Sequence, residues 1–250
     1  MGVVIPLGVL ICVSLLFVGL IPAGAGVTTW IDDDGIVHIE DKPPSEQPKR
    51  SRDLQEQLTL NFPPQNAVEK ARNATILVQS SKGVGSGFFI TKDGFILTNK
   101  HIVNPAGIHK IVLIDGTQLE VQGVKEISEK YDIALLKLDG YKCPYIEPFD
   151  ARRLPARASL YAIGMPMGLT HTVAPGIHSG TKSIDDMTYI QTTAPITYIN
   201  SGGPLVTQFG RVVGVNTQKL VGQVGEGLSY AVPVFDALAE FKKSLGEPFK

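Results

Sequence analysis

From about residue 67 onward the apolar positions fall into short runs separated by Gly, Asp and Asn. "TILVQS", "GSGFFITKDGFILTNKHIV", "IVLI", "QLEVQGV", "DIALLKL", "SLYAIG", "YIQTTA", "GPLVTQFGRVVGVNT" and "LSYAVP" are rich in β-branched and aromatic residues, which suit a pleated, half-buried surface. Lys92-Asp93-Gly94 and Phe209-Gly210-Arg211 stand between such runs as hairpin turns. Many short strands with turn signals predict an all-β barrel or sandwich. The exception is 234–245, where Val234, Leu238 and Phe241 share one face of a helix and Gly246 follows as a stop. The chain shows no internal repeat and no second large domain.

The N-terminal part has a different texture. Residues 2–25 carry no charged side chain and run apolar up to "PAGAG", the pattern of a secretion signal with Ala23-Gly24-Ala25 as its cleavage site. The n-region lacks Lys and Arg, and the run is long enough to cross a bilayer, so retention as an N-terminal membrane anchor is the alternative. Residues 26–45 read as a small β-hairpin, with strands at 28–31 and 36–39 about an Asp34-Gly35 turn. Trp30-Ile31-Asp32, Gly35, Val37-His38 and Pro43-Pro44 resemble a short module of unknown function that follows the signal peptide of many secreted bacterial proteins. The acidic run 32–34 lacks the alternating spacing of a calcium loop and reads as a solvated turn. Residues 46–66 form a linker with a basic tetrad at 49–52, and 54–62 add a short helix or strand.

Composition narrows the chemistry. With 43% hydrophobic residues, 26 glycines, 17 prolines and a net charge of −1, the chain is an ordinary turn-rich globular protein, and nothing in it calls for a nucleic-acid partner. Cys12 lies in the leader, so the mature chain keeps Cys143 alone and forms no internal disulfide. His38, His109, His171 and His178 have no metal-ligand spacing, so no metal is expected. Gly83, Gly85 and Gly87 lack the Gly-Lys-Ser/Thr of a phosphate loop and serve close strand packing. No cofactor is expected.

Three segments carry nucleophile chemistry: Thr98-Asn99-Lys100-His101 after a strand, Tyr131-Asp132 opening one, and Asn200-Ser201-Gly202-Gly203-Pro204 before another. A serine hydroxyl attacks a carbonyl only when an imidazole takes its proton and a carboxylate holds that imidazole's tautomer. The order His101, Asp132, Ser201 suits that division of labour. "GVGSGFFITKDGFILTNKHIV" at 83–103, "YDIALLKL" at 131–138, "AIGMPMGLTHTVAPGIHSG" at 162–180, "IQTTAPITYINSGGPLV" at 190–206, "GRVVGVNT" at 210–217 and "GLSYAVPV" at 227–234 together resemble the protease domain of the HtrA family of exported trypsin-like serine proteases.

The resemblance implies two six-stranded β-barrels of the trypsin-like fold with a C-terminal helix, occupying 67–245. The first barrel, about 67–140, would supply His101 and Asp132; the second, about 155–233, would supply Ser201 and the substrate pocket. It implies an oxyanion hole from the amides of Ile199 and Ser201, and a strand at 215–219, including Thr217, Gln218 and Lys219, that pairs with substrate backbone. Pro195, Ile196 and Tyr198 on one side and Leu228, Ser229 and Tyr230 on the other would wall the S1 pocket. These segments hold no acidic residue, and Ser229 replaces a small glycine, so cleavage after small or medium aliphatic residues is expected.

The family usually carries glycine where Ile199 stands. A β-branched residue turned to positive φ there is an outlier costing about 1–3 kcal/mol. The chain bears that strain, rests with the peptide flipped outward until substrate draws it in, or has a dead hole. It stops at Lys250 directly after the helix, so recognition through the PDZ domain common in the family is not expected, and 181–187 is shorter than usual. The reading is an exported, periplasmic or secreted serine endopeptidase acting on unfolded or envelope polypeptides, with homo-oligomerisation left open. The alternative is a catalytically impaired pseudoprotease that binds polypeptide strands as a holdase or adaptor.

Overall fold

The computed structural model describes residues 3–5, 27–31, 37–41, 52–165, 171–218 and 227–246, and the chain divides into two units, 1–50 and 51–250. In the first unit β1 (Val3–Ile5), β2 (Val27–Ile31) and β3 (Val37–Asp41) form an antiparallel sheet in the order β1-β3-β2, with Trp30 opposite His38. The two strands of the expected hairpin thus pair. Its Asp34-Gly35 turn and nearly all of the apolar leader lie outside the described residues. Among the described residues no helix is long and apolar enough to cross a membrane.

The second unit begins with two short helices. Leu54–Asn61 is capped by Asp53, whose carboxylate accepts from the Glu56 amide at 2.9 Å. Ala67–Asn73 is capped by Asn66, which accepts from the Glu69 amide at 2.9 Å. Asx side chains in these positions satisfy amides that a helix leaves orphaned. The second helix, where the pattern of apolar runs suggested only strands, is an addition to the expected fold.

Seven strands follow: β4 (Thr75–Gln79), β5 (Val84–Phe89), β6 (Phe95–Thr98), β7 (Ile108–Val112), β8 (Gln118–Gln122), β9 (Glu126–Ile127) and β10 (Ala134–Lys137). They curl into one antiparallel sheet ordered β8-β7-β4-β5-β6-β10-β9. The remaining six, β11 (Ser159–Gly164), β12 (Thr172–Ile184), β13 (Met187–Thr192), β14 (Pro204–Thr207), β15 (Val212–Thr217) and β16 (Ser229–Pro233), close into a barrel ordered β11-β12-β13-β16-β15-β14. The all-β, two-barrel trypsin-like organisation therefore holds, with one refinement. The first barrel is a curled seven-stranded sheet with an open seam, because its edge strand β9 has only two residues to offer a partner.

Burial explains why several runs are apolar throughout rather than alternating. Phe89, Ile96, Ala134 and Leu136 face the interior of the first sheet with Ile76, Ile111, Leu54 and Leu58. Their neighbours Phe88, Leu97, Ile133 and Leu135 face the other way, into a cluster with Val206, Val212, Val215, Tyr230 and Val232 of the second barrel. Strands covered on both faces read as continuous hydrophobic sequence. Val234, Leu238 and Phe241 of the C-terminal helix (Val234–Glu240, then Lys242–Leu245) join the same middle cluster, and Gly246 ends the helix at φ 73°. The seam between the barrels is thus a core in its own right, and the candidate site lies along it. Cys143 packs into the first sheet's interior, where burial pushes its thiol up to about 12, which removes it as a nucleophile.

His171 also has a packing role. Its Nε2 lies 2.9 Å from the Thr75 carbonyl, while Nδ1 is buried without a partner. Burial above all, with Arg72 nearby and the Thr75 carbonyl opposing, holds its pKa down to about 4 from 6.5. Between those values the unfolded chain binds the extra proton and the folded chain does not. Stability is therefore complete above pH 6.5 and falls by up to about 3 kcal/mol as the pH drops through 4. His171→Gln, which keeps a donor for Thr75 but does not titrate, should flatten this acid limb when melting temperature is followed from pH 7 to pH 4.

Candidate active site

His101 is placed by the end of β6 and Asp132 by the loop before β10, strands that pair directly with Ala134 opposite Thr98. Asp132 holds His101 with both carboxylate oxygens: Oδ1 accepts the His101 amide at 3.1 Å, and Oδ2 lies 2.6 Å from ring Nδ1. A carboxylate at Nδ1 makes that nitrogen the protonated one and leaves Nε2 as a bare acceptor. The Asp132 side chain is 9% exposed and that of His101 43%, so the acid is sheltered while the imidazole is open to solvent.

The Asp132 loop is itself tied down. Ser128 Oγ accepts from the amides of Lys130 and Tyr131 and donates to Glu240 Oε2 at 2.7 Å. Tyr131 donates its hydroxyl to Asp236 Oδ2 at 3.2 Å and meets the Tyr189 ring edge-on at 6.0 Å. Burial first, then the Asp236 carboxylate, pushes the Tyr131 phenol up to about 12. Asp236 and Glu240, one turn apart on the C-terminal helix, therefore brace the acid of the pair.

Ser201 sits in a helical turn between β13 and β14. Asn200 staples that turn: its Oδ1 accepts from the Thr197 amide and its Nδ2 donates to the Pro195 carbonyl, both at 2.8 Å. The Gly202 amide donates to Asn216 of β15, and the Asn216 amide returns a bond to Gly203, both at 2.9 Å. On the opposite side the loop presses against β5. The Ser86 amide donates to the Ser201 carbonyl at 2.9 Å. Gly202 has φ 84°, and a Cβ there would lie 2.2 Å from the Ser86 carbonyl oxygen, so only glycine fits. At Gly164 the added carbon would lie 2.4 Å from Asn200 Cβ.

Ser86 is the residue that sequence reasoning passed over. Fully buried, its hydroxyl donates to the Ile199 carbonyl at 2.8 Å and accepts the Met165 amide at 3.0 Å, while its carbonyl receives the Thr98 hydroxyl at 2.7 Å. The signal that could have found it is a lone polar side chain between glycines in an otherwise apolar strand, since a buried hydroxyl needs partners.

The hydroxyl of Ser201, 1% exposed, bonds elsewhere than His101: Oγ donates to Asn99 Oδ1 at 2.7 Å and accepts from the Gln218 amide at 3.2 Å. The amides expected to form the oxyanion hole are also engaged. That of Ser201 donates to the Thr197 carbonyl at 3.0 Å, and that of Ile199 to Thr197 Oγ1 at 3.3 Å. The non-glycine residues with positive φ among the described residues are Arg157, Asp185 and Asp186, so Ile199 keeps an ordinary backbone conformation and bears no strain. Of the three expectations for Ile199, a strained positive φ is not what the loop adopts; the amides of Ile199 and Ser201 are turned to their own turn.

The expected S1 walls meet at one point: the Ile196 amide donates to Ser229 Oγ at 3.1 Å, so the Ser229 side chain bridges them. Ile196 and Tyr230 are buried and Leu228 half-buried, whereas Pro195 is exposed and Tyr198 is 68% exposed. Thr217 pairs with Tyr230 across β15 and β16, and the hydroxyls of both are buried without partners. Lys219 lies outside the described residues.

Residues 85–215 match the family described as trypsin-like peptidase domain. Among curated relatives, serine protease HTRA1B of Danio rerio is 42% identical over 158 residues, 60% of this chain and 32% of that protein. A probable periplasmic serine endoprotease DegP-like of Pseudomonas putida is 38% identical over 161 residues, 62% of this chain and 34% of that one. The chain thus spans about a third of the length of these relatives. Among solved structures, the HtrA-type protease AlgW with tripeptide superposes with TM-score 0.64 at 29% identity, covering 72% of this chain and 63% of that one. The serine endoprotease from Yersinia pestis gives 0.62 at 33% identity, covering 72% and 66%.

Ser86→Ala removes one donor and one acceptor while leaving the backbone contact in place. It should lower stability by about 1–3 kcal/mol through the orphaned Ile199 carbonyl and Met165 amide. Chemical denaturation of the purified variant measures this. A loss within error would show that water replaces the hydroxyl.

Proposed function

Because the chain belongs to the trypsin-like peptidase family, we propose that it is a serine endopeptidase of HtrA type working through His101, Asp132 and Ser201. The observation that carries the reading is the two-point grip of Asp132 on His101, which engages the amide and Nδ1 and leaves Nε2 to act as the base. In the reaction Ser201 Oγ attacks the scissile carbonyl as His101 Nε2 takes its proton, and Asp132 stabilises the imidazolium. His101 then protonates the leaving amine, and water, deprotonated by the same imidazole, hydrolyses the acyl-enzyme. The amides of Ser201 and Ile199, released from Thr197, would receive the oxyanion. The substrates are polypeptides in extended form, unfolded or envelope proteins, whose backbone pairs with 215–219 and whose side chain enters between 195–198 and 228–230. A periplasmic or secreted location suits both the apolar leader and the periplasmic relative.

The engagement of both oxyanion amides by Thr197 favours a second reading, a strand-binding pseudoprotease. Labelling with a fluorophosphonate probe separates the two. The unsubstituted chain should label, Ser201→Ala should not, and Ile199→Gly should label faster, since one oxyanion donor is worth about 10²–10³ in kcat. Labelling of the glycine variant alone would establish the strand-binding reading instead.

The bridge from Ser229 to Ile196 makes a second prediction. In a peptide library, cleavage should follow small or medium aliphatic residues, and Ser229→Gly should extend it to larger side chains. A preference for Lys or Arg in the unsubstituted chain would refute the assignment of these walls.

A further inference from the structure

We infer that Asn99 is a positioning residue that holds the Ser201 hydroxyl away from His101, so that this hydrogen bond lowers the share of the resting protein that is ready to attack. The inference rests on the endopeptidase reading and concerns the regulation of that site.

Asn99 follows β6 directly and is fully buried. Its Nδ2 donates to the Asp132 carbonyl at 2.9 Å. That bond fixes which way the amide faces, because a carbonyl can only accept, so Oδ1 is the atom turned toward Ser201. A serine hydroxyl has one proton, and at 2.7 Å it is given to Asn99 Oδ1. While it is, the same proton cannot be given to His101 Nε2. The Gln218 amide, 3.2 Å from Oγ, holds the hydroxyl from a second side. Asn99 is thus anchored to the residue that orients the base and withholds the nucleophile from that base.

For the nucleophile, becoming ready breaks no covalent bond: the O–H bond stays intact, and its donation passes from Asn99 Oδ1 to His101 Nε2. No proton leaves Ser201 until a carbonyl carbon is attacked. The Asp132 loop does not depend on Asn99 alone. The Lys100 amide also reaches the Asp132 carbonyl at 3.3 Å, and the His101 amide reaches Oδ1. Removing the Asn99 side chain therefore leaves the acid and base gripped while freeing the serine.

The test uses the full chain and a small fluorophosphonate probe without added peptide. Asn99→Ala should label faster than the unsubstituted chain, by roughly two- to tenfold for one net hydrogen bond, with the pH at which labelling is half-maximal unchanged. Asn99→Ser, whose shorter side chain falls short of Ser201, should behave alike if the alanine variant folds poorly. In thermal unfolding without probe, Asn99→Ala and Ser201→Ala should be non-additive. Slower labelling with a displaced pH midpoint would show that Asn99 serves only to hold Asp132, and equal rates with additive stabilities would show no restraint; either overturns the inference and leaves the endopeptidase reading standing. Failure of the unsubstituted chain and both variants to label overturns that reading and the inference with it.

Discussion

The site depends on how closely the backbone of β5 approaches the turn that carries Ser201. The Ser86 amide and hydroxyl reach the carbonyls of Ser201 and Ile199, and its own carbonyl lies where any side chain at 202 would have to be. That contact joins the barrels at the point where one carries the candidate acid and base, Asp132 and His101, and the other the candidate nucleophile, Ser201. It is polar at its centre and apolar around it, with Phe88, Leu97, Val206 and Val215 in the surrounding cluster. Inside such a cluster each hydrogen bond gains strength and each unmade one is expensive, so the relative placement of the loops is strongly specified.

Within that frame the structure describes a resting arrangement in which the amide, carbonyl and hydroxyl of Ser201 are all engaged. The two amides and one hydroxyl that the proposed acyl transfer would use are bonded to Thr197 and Asn99 instead. At about 0.5–1.5 kcal/mol of net stability for each such bond, releasing all three leaves an attack-ready fraction between roughly 8% and 0.05%. A substrate shifts this balance only by binding the ready arrangement better than the resting one.

Much of this was legible in the sequence, and the part that was not has a definite physical cause. Residue type and order sufficed for His101, Asp132 and Ser201 as candidates, and continuous apolar runs such as "DIALLKL" already marked strands with two covered faces. The helix at Ala67–Asn73 escaped because its apolar core-facing residues are Val68 and Ala71, with Ala74 at its cap, too few to show a period. The roles of Ser86 and Asn99 escaped because they arise from contacts 113 and 102 residues apart in sequence, where local pattern carries no information. Ile199 was legible as an anomaly. What pattern could not show is that a hydroxyl two residues earlier, that of Thr197, lies in reach of its amide.

Ile199 and Asn99 then act on one equilibrium from different sides. Glycine at 199 would make positive φ free, whereas isoleucine adds about 1–3 kcal/mol to any arrangement that turns its amide inward, so the strain belongs to the catalytic conformation and not to the resting one. Asn99 burdens the hydroxyl rather than the backbone. Because both converge on Ser201, their effects need not sum. Gln218 links the two to substrate. It lies on the strand expected to pair with the polypeptide, yet its amide is spent on Ser201 Oγ. A substrate backbone that draws this N–H into strand pairing removes one of the two bonds that immobilise the nucleophile. On the proposed reading, engagement of the extended chain, rather than of the S1 side chain alone, would be the step that frees Ser201 to turn toward His101.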